Sequence, residues 1–200
     1  MKVRSIPPFN LGTFKLASPP ELMFVQYMPV QMPGTDLRIP SHLQCYEPLF
    51  KPVEVARDDY VYLTAKHVFV TPGNAGNRPG WHIDGFGTND LNLIWYDSMP
   101  TEFCVQDFEL REDHEGAMED MENQAESENI ETYPVGSLLC LNDQMVHRTA
   151  ECTHGHYRTF VKISISEDKY NLKGNAHNYL FDYSWDMVGR GPTRNHTTHK

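Results

Sequence analysis

Arg158-Thr159-Phe160-Val161-Lys162-Ile163-Ser164-Ile165 concentrates β-branched and aromatic residues in a run free of glycine and proline, which predicts a strand. Just upstream, Thr153-His154-Gly155-His156 reads as a turn joining two strands, and Val135-Gly136-Ser137-Leu138-Leu139-Cys140-Leu141 reads as another, buried strand. The same chemistry predicts strands at 60–63, 67–71, 91–96 and 178–183. Helix signals are sparse, the best helical spacing being Ala117, Met118, Met121 and Ala125. Short strands with long connections and no βα alternation predict an all-β dominated sandwich or barrel, jelly rolls included, with few short helices.

The 200 residues suit a single domain. Nine of the fourteen prolines precede residue 57, so 1–57 is expected as a proline-rich arm of extended segments around a core at 58–185, with 186–200 as a tail that includes His196 and His199. The net charge of -10 is local. Residues 107–131 hold eleven acids against one base, Arg111, and are expected to form a solvated acidic insertion beside an otherwise neutral body. That balance argues against strong non-specific nucleic-acid binding while leaving room for a nucleotide held locally. No apolar run approaches the roughly 20 residues of a spanning helix, so no membrane partner is expected. Met1 to Pro8 carries no secretory signal, and four dispersed cysteines without a CxxC suit free thiols, so a cytoplasmic setting is expected.

The chemistry concentrates in two places. In Pro79-Gly80-Trp81-His82-Ile83-Asp84-Gly85, residues two apart in extended backbone face one side, so His82 and Asp84 can offer a nitrogen and an oxygen to one ion. After the 135–141 strand comes His147, and eleven residues later Arg158 opens the next strand. Two imidazoles and a carboxylate on one face of Fe(II) leave open positions for a bidentate oxo-acid and dioxygen. A nearby arginine can clamp the far carboxylate of such an acid through its planar fork, more specifically than a lysine. Trp81, Trp95 and Tyr96 read as core aromatics rather than pocket walls.

This W-H-x-D, followed by a His after a G-x-L-L-x-L strand and an Arg eleven beyond, resembles the Fe(II)/2-oxoglutarate-dependent oxygenase family over residues 67–166. The resemblance implies a double-stranded β-helix (jelly-roll) core. It implies His82, Asp84 and His147 as catalytic iron ligands, Arg158 as the partner of the 2-oxoglutarate carboxylate, and Thr101 as an assisting threonine like that of the taurine-dioxygenase-like branch. Its activity would be hydroxylation of a substrate with dioxygen, releasing succinate and carbon dioxide. Phe160 stands where many members have serine, and the N-x-Y of the nucleic-acid demethylase branch is missing before Pro72-Gly73, so the branch is open. A small molecule, a nucleotide base or a protein side chain all fit as substrate. Two alternatives keep the barrel. One is a cupin-like metal protein using His154, His156 and His177, acting as an isomerase or a non-2-oxoglutarate oxygenase; the other is a non-catalytic module whose acidic loop binds a basic partner.

Overall fold

A computed structural model describes residues 1–86 and 88–190; His196 and His199 lie outside the described residues. The strands are β1 (Lys2–Arg4), β2 (Phe9–Thr13), β3 (Met23–Gln31), β4 (Tyr60–Val70), β5 (Leu91–Tyr96), β6 (Thr101–Cys104), β7 (Asp107–Glu109), β8 (Ile130–Thr132), β9 (Ser137–Leu141), β10 (His147–Thr149) and β11 (His156–Ser166). One α-helix, α1 (His114–Gln124), and 3-10 turns at Ser41–Phe50 and Ser127–Asn129 complete the elements. The chain is therefore mostly sheet, as an all-β reading requires, and no closed barrel forms among the described residues. Among them, no helix is long and apolar enough to cross a membrane.

A six-stranded antiparallel sheet runs β2-β9-β5-β11-β4-β3, and a smaller one runs β10-β6-β8. The period-2 alternation of side chains decides what each face does. On the large sheet Val61, Leu63, Ala65, Leu93, Trp95, Leu138, Val161, Ile163 and Ile165 point to one side. There the proline-rich arm covers them with Met28, Val30, Leu43, Tyr46, Leu49 and Phe50. Burying each such side chain contributes about 1.5–3 kcal/mol. The Trp95 indole N–H, which burial would otherwise orphan, donates to the Phe14 carbonyl at 3.0 Å. On the opposite face Thr64, Lys66, Ile94, Phe160 and Lys162 look toward the small sheet and line a cavity of about 260 Å³. Beside that cavity Phe103 and Met145 close on Ile94, Tyr96, Leu139, Leu141 and Phe160.

Four expectations need correction. The strands expected at 60–63 and 67–71 are one strand, because β4 lies between β3 and β11 and both neighbours hold it through Lys66. Residues 178–183 form a turn. The Asn178 amide donates to the Pro29 and Arg38 carbonyls, both at 2.9 Å, and its Oδ1 accepts from the Leu180 N–H. A side chain that satisfies backbone groups in this way competes with strand pairing. The acidic stretch 107–131 is not a wholly solvated insertion. Its acids point outward, but Phe108, Leu110, Ala117 and Met121 are buried with Val3, Trp81, Ile83, Phe86, Cys104 and Val146. Asp113 caps α1 by accepting from the Gly116 N–H at 2.7 Å, which fixes where that apolar face begins. Part of the expected tail also folds back, with Lys173 N–H donating to Val188 O and Val188 N–H to Asn171 O.

Truncating Met121 to Ala is accordingly expected to cost about 2–5 kcal/mol of stability, read as a shift in the urea midpoint. Replacing 107–131 by a Gly/Ser link is expected to abolish a single cooperative transition, because it uncovers Trp81 and Ile83.

Candidate metal centre

The site starts from a backbone contact. His82 N–H donates to His147 O at 3.0 Å, and His147 N–H returns the bond to His82 O at 2.9 Å. The two histidines are thus a reciprocally bonded antiparallel pair, which places their side chains on the same face as neighbours. Their ring centroids are 4.6 Å apart. Alternation then sends Trp81 and Ile83 outward into the cluster under α1, and His82 inward. Asp84, two residues on, also lines the cavity. The glycines at either end of this segment, Gly80 (φ +77°) and Gly85 (φ +73°), take the left-handed conformation that lets so short a stretch enter and leave the sheet edge.

Each imidazole is oriented by a carbonyl. His82 Nδ1–H donates to Gly80 O and His147 Nδ1–H to Met145 O, both at 2.9 Å. A carbonyl can only accept, so the proton sits on Nδ1 and the Nε2 lone pair is left for a metal. One ligand atom from each of His82, Asp84 and His147 lies within 4.8 Å of the others. The donor set and the opening on one side therefore fit a facial two-histidine, one-carboxylate centre.

Electrostatics around the triad are set by burial and by a lysine. Burial of His82, reinforced by His147, pushes its pKa down to about 3, so the ring is neutral and ligand-ready at physiological pH. Burial by itself would raise the Asp84 carboxyl, but Lys162 and then His147 outweigh it and hold it well below the usual carboxylate range. Lys162 Nζ donates to Asp84 Oδ2 at 3.1 Å and to Tyr27 Oη at 2.9 Å. Burial opposes its charge, and Asp84 with Tyr27 more than restores it, so its pKa is raised.

Thr101 is buried on β6, paired with Thr149 of β10, and both line the cavity with His147. Arg158 lies differently from the expectation. The residue is only 2% exposed, and its guanidinium donates to Ser98 O at 3.2 Å and Met99 O at 3.4 Å and sits 5.2 Å from the Phe160 ring centroid. Phe160 lines the cavity and Arg158 does not. Among the described residues no carboxylate lies within ion-pair distance of Arg158, and burial lowers its pKa to about 10. His154, His156 and His177 form no metal-holding group: His154 and His156 pack on each other, and His177 stacks on Tyr183. Trp81, Trp95 and Tyr96 are core, as expected. Lys162 and Lys66 were missed by sequence reasoning, although a lysine inside a β-branched run is itself a signal that something anionic lies opposite. No protein-family model matches the chain, and no curated protein matches its sequence.

Because the folded pKa of His82 lies below its unfolded value near 6.5, the unfolded chain binds the extra proton between those values. In chelator, stability should fall as pH drops from about 6.5 toward 3, by at most about 1.4 kcal/mol per pH unit from this group. His82→Asn is expected to flatten that slope in a series of urea melts.

Proposed function

We propose that the chain is an Fe(II)/2-oxoglutarate-dependent oxygenase that hydroxylates its substrate. The observation that carries this reading is the oriented triad: two Nε2 lone pairs and one ionised carboxylate converging at one end of a cavity. The two facing antiparallel layers are read as the major and minor sheets of a double-stranded β-helix. When bound, Fe(II) with 2-oxoglutarate and dioxygen supplies the oxidising power that turns a substrate C–H into C–OH while 2-oxoglutarate leaves as succinate and carbon dioxide.

The protein's part is positioning and exclusion. His82 and His147 would hold the metal through Nε2, their rings fixed by Gly80 O and Met145 O. Asp84 would supply the carboxylate ligand, and Lys162, donating to its Oδ2, keeps that carboxylate ionised and in place. Ile94 and Phe160 present apolar surface that limits water at the reacting carbon. Arg158, a buried cation without a carboxylate partner among the described residues, takes the far carboxylate of the oxo-acid, assisted by the Thr101 hydroxyl. Phe160, which lines the cavity 5.2 Å from the Arg158 guanidinium, would have to turn aside for this.

Anaerobic protein is expected to bind about one equivalent of Fe(II), to develop a visible charge-transfer band with 2-oxoglutarate, and to release succinate in air. Arg158→Ala should weaken 2-oxoglutarate about thirty-fold or more with metal affinity spared, and Arg158→Lys should recover only part of the loss. Protein that binds iron at the triad yet gives neither band nor succinate overturns the assignment.

A further inference from the structure

Aromatic rings connect the cavity to the surface. Tyr27 lines the cavity and accepts from Lys162 Nζ at 2.9 Å, and the same ammonium donates to Asp84. Beyond Tyr27, Tyr170 stands edge-on at 5.3 Å between centroids, and Tyr62 stacks flat on Tyr170 at 4.3 Å and 3°. Tyr60 follows at 5.9 Å from Tyr62, Trp185 at 6.0 Å from Tyr60, and Tyr183 at 4.7 Å from Trp185. The series begins at a buried tyrosine and ends at half-buried Trp185 and Tyr183 in the C-terminal segment. Phenol and indole rings are among the side chains that yield an electron most readily, and ring-to-ring contact lets the electron move. A second series of rings leaves the histidines through Phe103 toward Tyr133, but it is interrupted by that phenyl ring, which resists oxidation.

One ring in the series is equipped to lose an electron. The Tyr170 hydroxyl donates to Asp90 Oδ2, and Asp90 is buried. A phenol O–H on a carboxylate is a charge-assisted bond that holds donor and acceptor in line for proton transfer. Burial, and then the Asp90 charge, push the Tyr170 pKa up, so the phenol keeps its proton until an electron leaves and the proton crosses to Asp90. Tyr62 has no such base: it donates to the Asp168 backbone carbonyl at 2.9 Å, and its oxygen receives the Tyr170 N–H at 2.8 Å. Cations lie against the rings on either side. Lys162 Nζ is 5.0 Å from the Tyr27 centroid, and Lys169 Nζ is 6.0 Å from that of Trp185. An ammonium there disfavours a positive hole, whereas the Asp90 carboxylate favours one, so Tyr170 is the low point of the series.

We propose that Tyr170, with Asp90 as its proton acceptor, is a one-electron redox site that drains oxidising equivalents from the candidate metal centre through Tyr27. The source of those equivalents rests on the oxygenase reading: when oxo-acid and dioxygen react with no substrate in place, a metal-centred oxidant is left without a C–H bond to attack. Tyr27 gives that oxidant one electron and regains one from Tyr170, whose O–H proton passes to the Asp90 carboxylate. The products are a neutral tyrosyl radical, a carboxylic acid and a metal centre reduced by one electron. Tyr62, Tyr60 and Trp185 then relay one electron inward from a soluble reductant of the ascorbate or thiol class, and Asp90 returns the proton to Tyr170. Two such passages discharge a two-electron oxidant, its oxygen leaving as water with protons from solvent. The residues around the triad are thereby spared the side reactions that a trapped oxidant would otherwise inflict.

The experiment has a metal-free arm and an iron arm, both on the full chain and both read by electron paramagnetic resonance of frozen samples. In chelator, with photogenerated tris(bipyridine)ruthenium(III) as oxidant, a persistent tyrosyl signal is expected. Tyr170→Phe and Asp90→Asn should each lose it, since a phenyl ring has no O–H and an amide takes no proton. Tyr179→Phe, which removes a phenol that is 89% exposed and outside the relay, should keep it. Trp185→Phe should slow its quenching by ascorbate. With Fe(II), 2-oxoglutarate and air but no substrate, the same signal should appear, and Tyr27→Phe should lose it in this arm alone. In that arm Tyr170→Phe should also acquire oxygen atoms on cavity residues sooner than the wild type, read by mass spectrometry. Retained Mn(II) binding in every variant serves as proof of folding. No signal in chelator, or one that survives Tyr170→Phe or Asp90→Asn, overturns the redox site, and unaltered quenching in Trp185→Phe overturns the outward path. Succinate formation without the Tyr170 signal in the iron arm defeats the proposal alone. A Tyr170 signal in chelator without succinate formation defeats the oxygenase reading alone and leaves the redox site standing.

Discussion

Two backbone hydrogen bonds between His82 and His147 govern the geometry of this molecule's polar interior. They bring together residues 65 positions apart in the chain and leave the two imidazoles no choice but to be neighbours. Because alternation is strict, the same bonds force Trp81 and Ile83 to the far side, where an apolar layer must cover them. That layer comes largely from the acidic stretch. Its charge density disguises a helix whose Ala117 and Met121 are 0% and 1% exposed. Arg148, next to His147 and facing outward, adds a contact over the Trp81 ring at 4.3 Å while its Nε donates to Glu102. The candidate metal ligands and the acidic helix are opposite faces of one thin layer, so packing on the outside holds His82 and His147 in place on the inside.

A second constraint is the burial of charge on β11. Lys162 and Arg158 lie four residues apart on the same face, and both are almost wholly removed from water. Replacing such groups with apolar residues of similar volume is often neutral or stabilising, so stability is a weak reason for them to be there. The backbone around them is strained as well. Among the described residues, the two non-glycine positions at positive φ are Tyr27 (φ 43°) and Met99 (φ 51°). Tyr27 supplies the hydroxyl that receives Lys162, and Met99 supplies a carbonyl that receives Arg158. Strain of this kind costs about 1–3 kcal/mol per residue and persists where surrounding contacts dictate it. For Tyr27 one such contact is visible: its N–H donates to Thr64 Oγ1 at a register shift between β3 and β4.

What could be read in the chain beforehand follows the same physics. His82 and Asp84 were legible because a period of two is visible in four consecutive residues, and β11 was legible because its composition leaves no other choice. Lys162 was not assigned a role, since its partner Asp84 lies 78 positions away and no local rule connects them. The orientation of Arg158 was equally beyond local reasoning: the carbonyls of Ser98 and Met99 that hold it come from a turn between β5 and β6. Residues 178–183 misled for the opposite reason. Their aromatic content suits a strand, but one asparagine amide with three backbone partners outweighs propensity. The acidic stretch misled because charge was counted without its phase, and the apolar residues at helical spacing were the informative ones.

Charge is therefore distributed by sign across short distances. The exterior of 107–131 carries the acids that give the chain its net charge of -10, while the cavity a few residues from Glu122 is lined by four cations and one carboxylate. At physiological ionic strength the screening length is about 8 Å, so exposed acids on the outer face lose most of their influence on an approaching solute. Charges sunk in a low-dielectric cavity are screened far less and dominate at close range.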